Sequence, residues 1–213
     1  MTNLPTHQVI KPKMLYAGTP VYLISTLDQS GAVNLAPASS YWALGETIVL
    51  GLEVGGQTIN NILQGSDLTV NFATAQLWQN VEALATSTGA NPVPEFKTPR
   101  YHFEGDKFSA SSLTAQPSDL VAPPRVLQSP LQLEAKVRDA TLSHDKNFYI
   151  VQAQVVRVHA HESIVVPGTE HINPATWRPL IYNFKHFYDL GEQVGWTVSS
   201  PTSPANLATV QKK

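Results

Sequence analysis

At 213 residues, with a formal charge of −2 and no cysteine, the chain is sized for one well-filled domain and offers neither a disulfide framework nor a thiolate metal site. A hydrophobic content of 42% against 14% charged residues is too apolar for intrinsic disorder, and no apolar run is long enough to span a bilayer. Lys and Arg are scattered, so there is no basic face to release counterions from a nucleic acid.

Taken in chain order, residues 1–11 read as a polar N-terminal arm. Met1 to His7 lacks the basic start and apolar run of a signal peptide, which makes a cytoplasmic location the expectation. Val21 to Thr26 is β-branched and aromatic, Leu27 to Gly31 is a turn, and Val33 opens a second strand, so residues 21–38 predict an antiparallel hairpin. Ser40–Leu44 and Thr47–Leu52 predict another hairpin about Gly45-Glu46. Gly55-Gly56 breaks the sheet, Thr58 has the makings of an N-cap for a helix over Ile59–Gln64, and Gly65 suits its left-handed end. Leu68–Phe72 is the next strand, and Leu77, Val81 and Leu84 give residues 76–85 one apolar helical face.

The proline-rich stretch 90–130 is expected to be irregular apart from a short helix over 106–110, with a job such as a lid or dimer arm. Leu131–Arg138 alternates as a strand, and Asn147–His161 is the longest β signal, bent or bulged. Residues 199–213 read as a flexible tail, leaving 12–198 as one domain. Many short strands in sequence-adjacent pairs with few helices predict a mainly β fold, an antiparallel β-barrel with peripheral helices.

Residues 34–61 carry the chemistry. Asn34-Leu-Ala-Pro-Ala-Ser-Ser40 supplies small and hydroxyl residues against which a flat ring can lie. Gly55 and Gly56 allow close backbone approach, and Thr58 adds a hydroxyl, which together suit a phosphate monoester. The same glycine turn, threonine and helix also occur in proteins that hold no ligand.

In its order the chain resembles the flavin reductase-like family of FMN-binding split barrels, which includes flavoredoxins and NAD(P)H:flavin oxidoreductases. The residues carrying the likeness are Val21 to Asp28, Gly31-x-x-Asn34-x-Ala36-Pro37-x-Ser39, Val49 to Leu52, Thr58-x-x-Asn61-Ile62 and Val70-Asn71. Phe108 to Thr114, Pro123-Pro124-Arg125, Leu131-x-Leu-Glu134, Val151-x-Ala-Gln-Val155, Pro179-Leu180 and Leu190-Gly191-Glu192 continue it over residues 12–192. The resemblance implies a Greek-key antiparallel split barrel, homodimeric, with FMN in a cleft near the subunit interface. Asn34, Ala36, Ser39, Ser40 and Tyr41 would line the ring and ribityl chain, and Gln57, Thr58 and Asn61 the phosphate end. It further implies a cytoplasmic oxidoreductase, an NAD(P)H-dependent flavin reductase with hydride transfer through flavin N5 and no catalytic side chain. Its partners would be NAD(P)H or a small-molecule substrate, with no nucleic acid and no membrane.

The chain departs from the family pattern at Gly56-Gln57, where a basic residue often precedes the threonine; Arg100, Arg125 and Lys13 are the candidate counter-cations. It departs again at Asn147-Phe148, where a histidine associated with nicotinamide is common. That second departure keeps a flavoredoxin-like electron carrier, and an FMN enzyme for a specific organic substrate, as alternatives. A non-enzymatic ligand-binding barrel is the outsider. His159, His161 and Glu162, with His171 or His144, could form a metal site, but strand-edge histidines are more often solvated, and no metal is expected. A Ser40–His144–Asp145 triad lacks a nucleophile elbow. Phe184, Phe187, Tyr188 and Trp196 either pack a terminal segment onto the barrel or form a lid.

Overall fold

The structure, a computed structural model, describes residues 7–197; most of the arm expected over 1–11 and all of the tail expected over 199–213 lie outside the described residues. Strand β1 (Ala17–Pro20) leads into β2 (Tyr22–Leu27), which is buried on both faces, its Ser25 and Thr26 included. Asp28 closes the following turn by accepting the N–H groups of Ser30 and Ala32, and the chain returns as β3 (Val33–Ala38). After Ser39 and Ser40 comes β4 (Tyr41–Leu44), which pairs with β5 (Thr47–Glu53). Helix α1 (Gln57–Leu63) and strand β6 (Leu68–Phe72) follow. Then come α2 (Trp78–Ala83), the parallel pair β7 (Ser87–Thr88) and β8 (His102–Phe103), α3 (Lys107–Ala110), and the antiparallel pair β9 (Ala115–Gln116) and β10 (Arg125–Val126). A long hairpin, β11 (Leu131–Leu142) and β12 (Phe148–Ala160), precedes β13 (Ile181–Asn183) and β14 (His186–Tyr188). These last two form a small sheet with β1.

The main sheet has seven strands in the order β3-β2-β6-β11-β12-β5-β4, every pair antiparallel. Its two edge strands, β3 and β4, are joined by only Ser39 and Ser40, and the Gly51 N–H donates to Ser40 O at 3.3 Å. A sheet whose edges are neighbours in the chain must curl until they meet. The result is the expected antiparallel split barrel with peripheral helices, and α1 fills the split, touching β2, β3 and β5. The expected bend is present as register shifts between Glu134 and Ala135 and between Val137 and Asp139 where β11 pairs with β12.

Inside the barrel, Tyr22, Ile24, Leu50, Val70 and Val151 pack with Ile59 and Ile62 of α1. A seven-residue helix is not stable alone, so these two side chains, each contributing about 1.5–3 kcal/mol by burial, hold it in place. One end of the barrel is filled by rings: Tyr22 against Tyr41 at 5.9 Å, Tyr41 against Phe72 at 5.2 Å, and Phe72 against Trp177 at 6.2 Å. A second core of Leu23, Leu35, Val81, Leu84, Val126 and Leu180 lies between the outer side of β2–β3 and α2.

Several local expectations are adjusted. Helix α1 begins one residue before Thr58, with Gly56 at the N-cap position and no side-chain cap, so Thr58 is an interior residue of the first turn. The helix expected over 76–85 divides into a 3-10 turn over Ala75–Leu77 and the shorter α2. The short helix near 106–110 is α3, capped by Asp106, which accepts the Ser109 N–H at 3.1 Å.

The proline-rich segment is fastened by a carboxylate. Glu134 on β11 is fully buried, and its oxygens accept the N–H groups of Asp119, Leu120 and Val121 as well as His159 Nε2 at 2.6 Å. Burial acts to raise its pKa, but the Asp119 and Leu120 N–H groups and His159 together outweigh that and hold it below the ordinary carboxylate range. Asp119, Glu134 and His159 converge closely enough to invite a metal. However, both Glu134 oxygens are already taken by N–H donors, and Asp119 Oδ2 bonds Arg157 at 2.8 Å, so the cluster is a loop clip.

Candidate functional site

Beside β3, three stretches far apart in sequence enclose a cleft of about 170 Å³. Its floor is the small-residue run Ala36-Pro37-Ala38 with Asn34, held by pairing with β2. The turn and helix start Gly56-Gln57-Thr58 and the adjoining stretch Ser87-Thr88-Gly89 form its walls. Lys97, Tyr101 and Lys107, all from the segment expected to be irregular, close the end.

The polar atoms of the cleft form a connected network. Asn34 Nδ2 donates to Thr58 Oγ1 at 2.9 Å, which leaves the threonine O–H proton free to donate. Asn34 Oδ1 is buried with no partner, a state that costs about 1–3 kcal/mol unless something fills it. Gln57 Nε2 donates to Asn61 Oδ1 at 2.7 Å, and Asn61 Nδ2 in turn donates to Thr26 Oγ1 at 3.0 Å. Asn61 thus ties α1 to β2 from inside and orients Gln57. Gly89 is needed where it stands: a Cβ there would meet Asn34 Oδ1 at 2.6 Å and Gln57 Cγ at 3.1 Å.

The charges are lysines. Lys107 is only 4% exposed, yet among the described residues neither it nor Lys97 has a carboxylate within ion-pair distance. Burial, and then the repulsion of Lys97, push the Lys107 ammonium down to about 8, with Glu104 opposing. Burial likewise lowers Lys97, with Glu53 opposing. Two half-satisfied ammonium groups, an orphaned acceptor and a free hydroxyl make a site shaped for a polar anionic ligand with a flat body.

Of the residues expected at the site, Asn34, Ala36, Gln57 and Thr58 line this cleft. Ser39, Ser40, Tyr41 and Asn61 do not. Ser39 Oγ pairs with Thr19 Oγ1 at 2.6 Å, and Ser40 Oγ with the Tyr16 hydroxyl at 2.5 Å, because both sit at the corner where β3 turns into β4. The Tyr41 ring points into the barrel-end cluster, and Asn61 is a fully buried strut. The expected counter-cations also lie away from this cleft. Arg125 turns away, its guanidinium bonding Pro117 O at 2.8 Å and Gln132 Oε1 at 2.7 Å, while Arg100 and Lys13 are exposed and outside the cleft. Ser87, Thr88, Gly89, Lys97, Tyr101 and Lys107 were not legible as site residues; Thr86 to Gly89 reads as a helix end, and single lysines carry no pattern. Ser40, His144 and Asp145 form no triad, since Asp145 is taken up by Ser143 and Asn147. Phe187 packs on Tyr182 at 5.7 Å whereas Tyr188 and Trp196 stay exposed, and none of the three lines the cleft.

Comparison with known proteins agrees with this fold. The profile described as "Flavin reductase like domain" matches residues 14–191. YdfE of Bacillus subtilis (strain 168) is 40% identical over 195 residues, covering 91% of this chain and 94% of its own. Among solved structures, flavoredoxin of Desulfovibrio vulgaris (Miyazaki F) superposes with a TM-score of 0.74 at 20% identity, over 92% of this chain and all of its own. The 2-nitrobenzoate 2-nitroreductase NbaA of Pseudomonas fluorescens gives 0.69 at 18% identity, over 85% of each chain.

Proposed function

The chain belongs to the flavin reductase-like domain family, and on that footing we propose that it is an FMN-dependent oxidoreductase that takes a hydride from NAD(P)H and passes the electrons on. The observation that carries FMN is Lys107: a buried ammonium without a counter-ion, in the same cleft as the Ala36–Ala38 backbone floor. A flavin bearing one terminal phosphate supplies both the flat ring and the missing anion. When bound, it supplies the hydride-accepting chemistry at N5.

The chain's own part is binding and orientation. Ala36 to Ala38 keep the floor low enough for a ring to approach the backbone. Asn34 holds the Thr58 hydroxyl through its Nδ2, which leaves that hydroxyl free to donate to the phosphate. Gln57 is held by Asn61, and Lys107 neutralises the phosphate. Hydride transfer itself requires no side-chain acid or base.

The test is direct. The purified protein should be yellow and release FMN, not FAD, on heating; a colourless protein that ignores added FMN sinks the reading. Anaerobic NADH or NADPH should then bleach it rapidly. No bleaching with either favours an electron carrier or an enzyme for a specific organic substrate. The observation behind that second reading is that Asn147 is spent on Asp145 in the turn, at 2.9 Å, and Phe148 stands beside Gly51, outside the cleft.

We also propose that residues 12–198 act as one unit and that two copies associate. Trp42 and Leu44 on edge strand β4 are 56% and 72% exposed and share an outer sheet face with Ile150 and Phe148. An apolar face of this kind next to an unpaired edge favours cover by another copy. Light scattering at micromolar concentration should report a dimer mass; a monomer there overturns this part. No helix among the described residues is long and apolar enough to cross a membrane.

A further inference from the structure

The proline-rich segment brings a second cation to the cleft. The Phe96 ring lies 3.0 Å from where a Cβ on Gly55 would stand, and Lys97 Nζ lies 3.8 Å from the equivalent point at Gly56. This strap therefore crosses the turn between β5 and α1 and sets its ammonium beside Gly56 at the start of α1. Lys97 is held there by ring faces, 5.7 Å from the Phe96 centroid and 5.3 Å from that of Tyr101. The segment could have been anchored without a charge, since Phe96 already covers Gly55.

Lys97 and Lys107 face the same cleft and repel one another. A neutral ligand leaves that repulsion in place, and a monoanion offsets one charge. Only a dianion relieves both. We propose that Lys97 is a specificity-determining residue, which with Lys107 selects the flavin carrying a terminal phosphate dianion over the unphosphorylated flavin with the same ring. This rests on the reading of the cleft as a flavin site.

The experiment titrates apo-protein with FMN and with riboflavin, following flavin fluorescence, for wild type, Lys97→Met and Lys97→Arg. In Lys97→Met the FMN-to-riboflavin affinity ratio should fall about tenfold, the worth of one partly exposed charge-assisted contact. Riboflavin affinity should hold within about twofold, FMN binding should lose part of its salt dependence, and Lys97→Arg should recover most of the ratio. A ratio that does not change, or equal losses for both flavins (which would mean that Lys97 only packs), overturns the inference while leaving the flavin site standing. A wild-type protein that takes up neither flavin overturns the site reading and this inference together.

Discussion

Lys107→Met should make the empty protein more stable and cost it the cofactor. The ammonium is held at about 8, from 10.5, chiefly by burial. A Lys whose folded pKa lies below its unfolded one destabilises the fold fully below the folded value, and the penalty fades as pH rises from about 8 to about 10.4. At neutral pH that amounts to about 3 kcal/mol at most, and methionine fills similar space without the charge. Denaturant unfolding of the apo-protein should thus show wild-type stability climbing above pH 8, and the variant more stable below it with a smaller climb, what remains belonging to Lys97. FMN binding should run the other way. Removing the buried partner of the phosphate is expected to cost about 3 kcal/mol, roughly a hundredfold in Kd. Wild-type FMN affinity should itself decline as pH passes about 8, where the lysine loses the proton that pairs with the phosphate. A Lys107→Met protein that binds FMN normally would remove Lys107 from the site.

Gly89→Ala should damage fold and site together. Its backbone is not left-handed, so on conformational grounds alone alanine would be neutral or stabilising by about 0.4–1 kcal/mol. The added Cβ, however, meets Asn34 Oδ1 at 2.6 Å and Gln57 Cγ at 3.1 Å, in a place where Asn34 is buried and bonded to Thr58. Overpacking of about 1–3 kcal/mol plus a hydrogen bond of about 1 kcal/mol outweighs the gain, for a net loss of about 2–3 kcal/mol. Cofactor uptake should fall too, since Asn34, Gln57 and Thr58 shift at once. The measurement is denaturant unfolding and FMN titration of Gly89→Ala with and without Asn34→Ala. Shrinking Asn34 should recover the stability lost to the clash; no recovery places the cost elsewhere.

Strands β2 to β6 were readable because each is a short alternating or continuous apolar run between turn residues, and such runs leave few alternatives. Gly65 takes its expected left-handed turn at φ +98°. Helix α1 was placed two residues late because Thr58 looks like a cap, whereas its hydroxyl is used sideways by Asn34. The same tertiary bond explains why Asn34 and Thr58 share the cleft. Ser39, Ser40 and Tyr41 were grouped with them because they are sequence neighbours. A β-strand sends adjacent side chains to opposite faces, and the corner after Ala38 turns the chain away, so neighbourhood in sequence did not become neighbourhood in space.

Strand periodicity and turn chemistry, which are local, were enough to predict the antiparallel barrel, and the order of motifs over residues 12–192 carried the resemblance to the flavin reductase-like family. The cleft's charge was decided only by the fold. Lys97 and Lys107 carry no local signature; they matter because loop 117–124 is clipped by Glu134, α3 is capped by Asp106, and the strap lies on Gly55. Electrostatics depends on distance and burial, and both are set by long-range packing that no spacing of residues encodes.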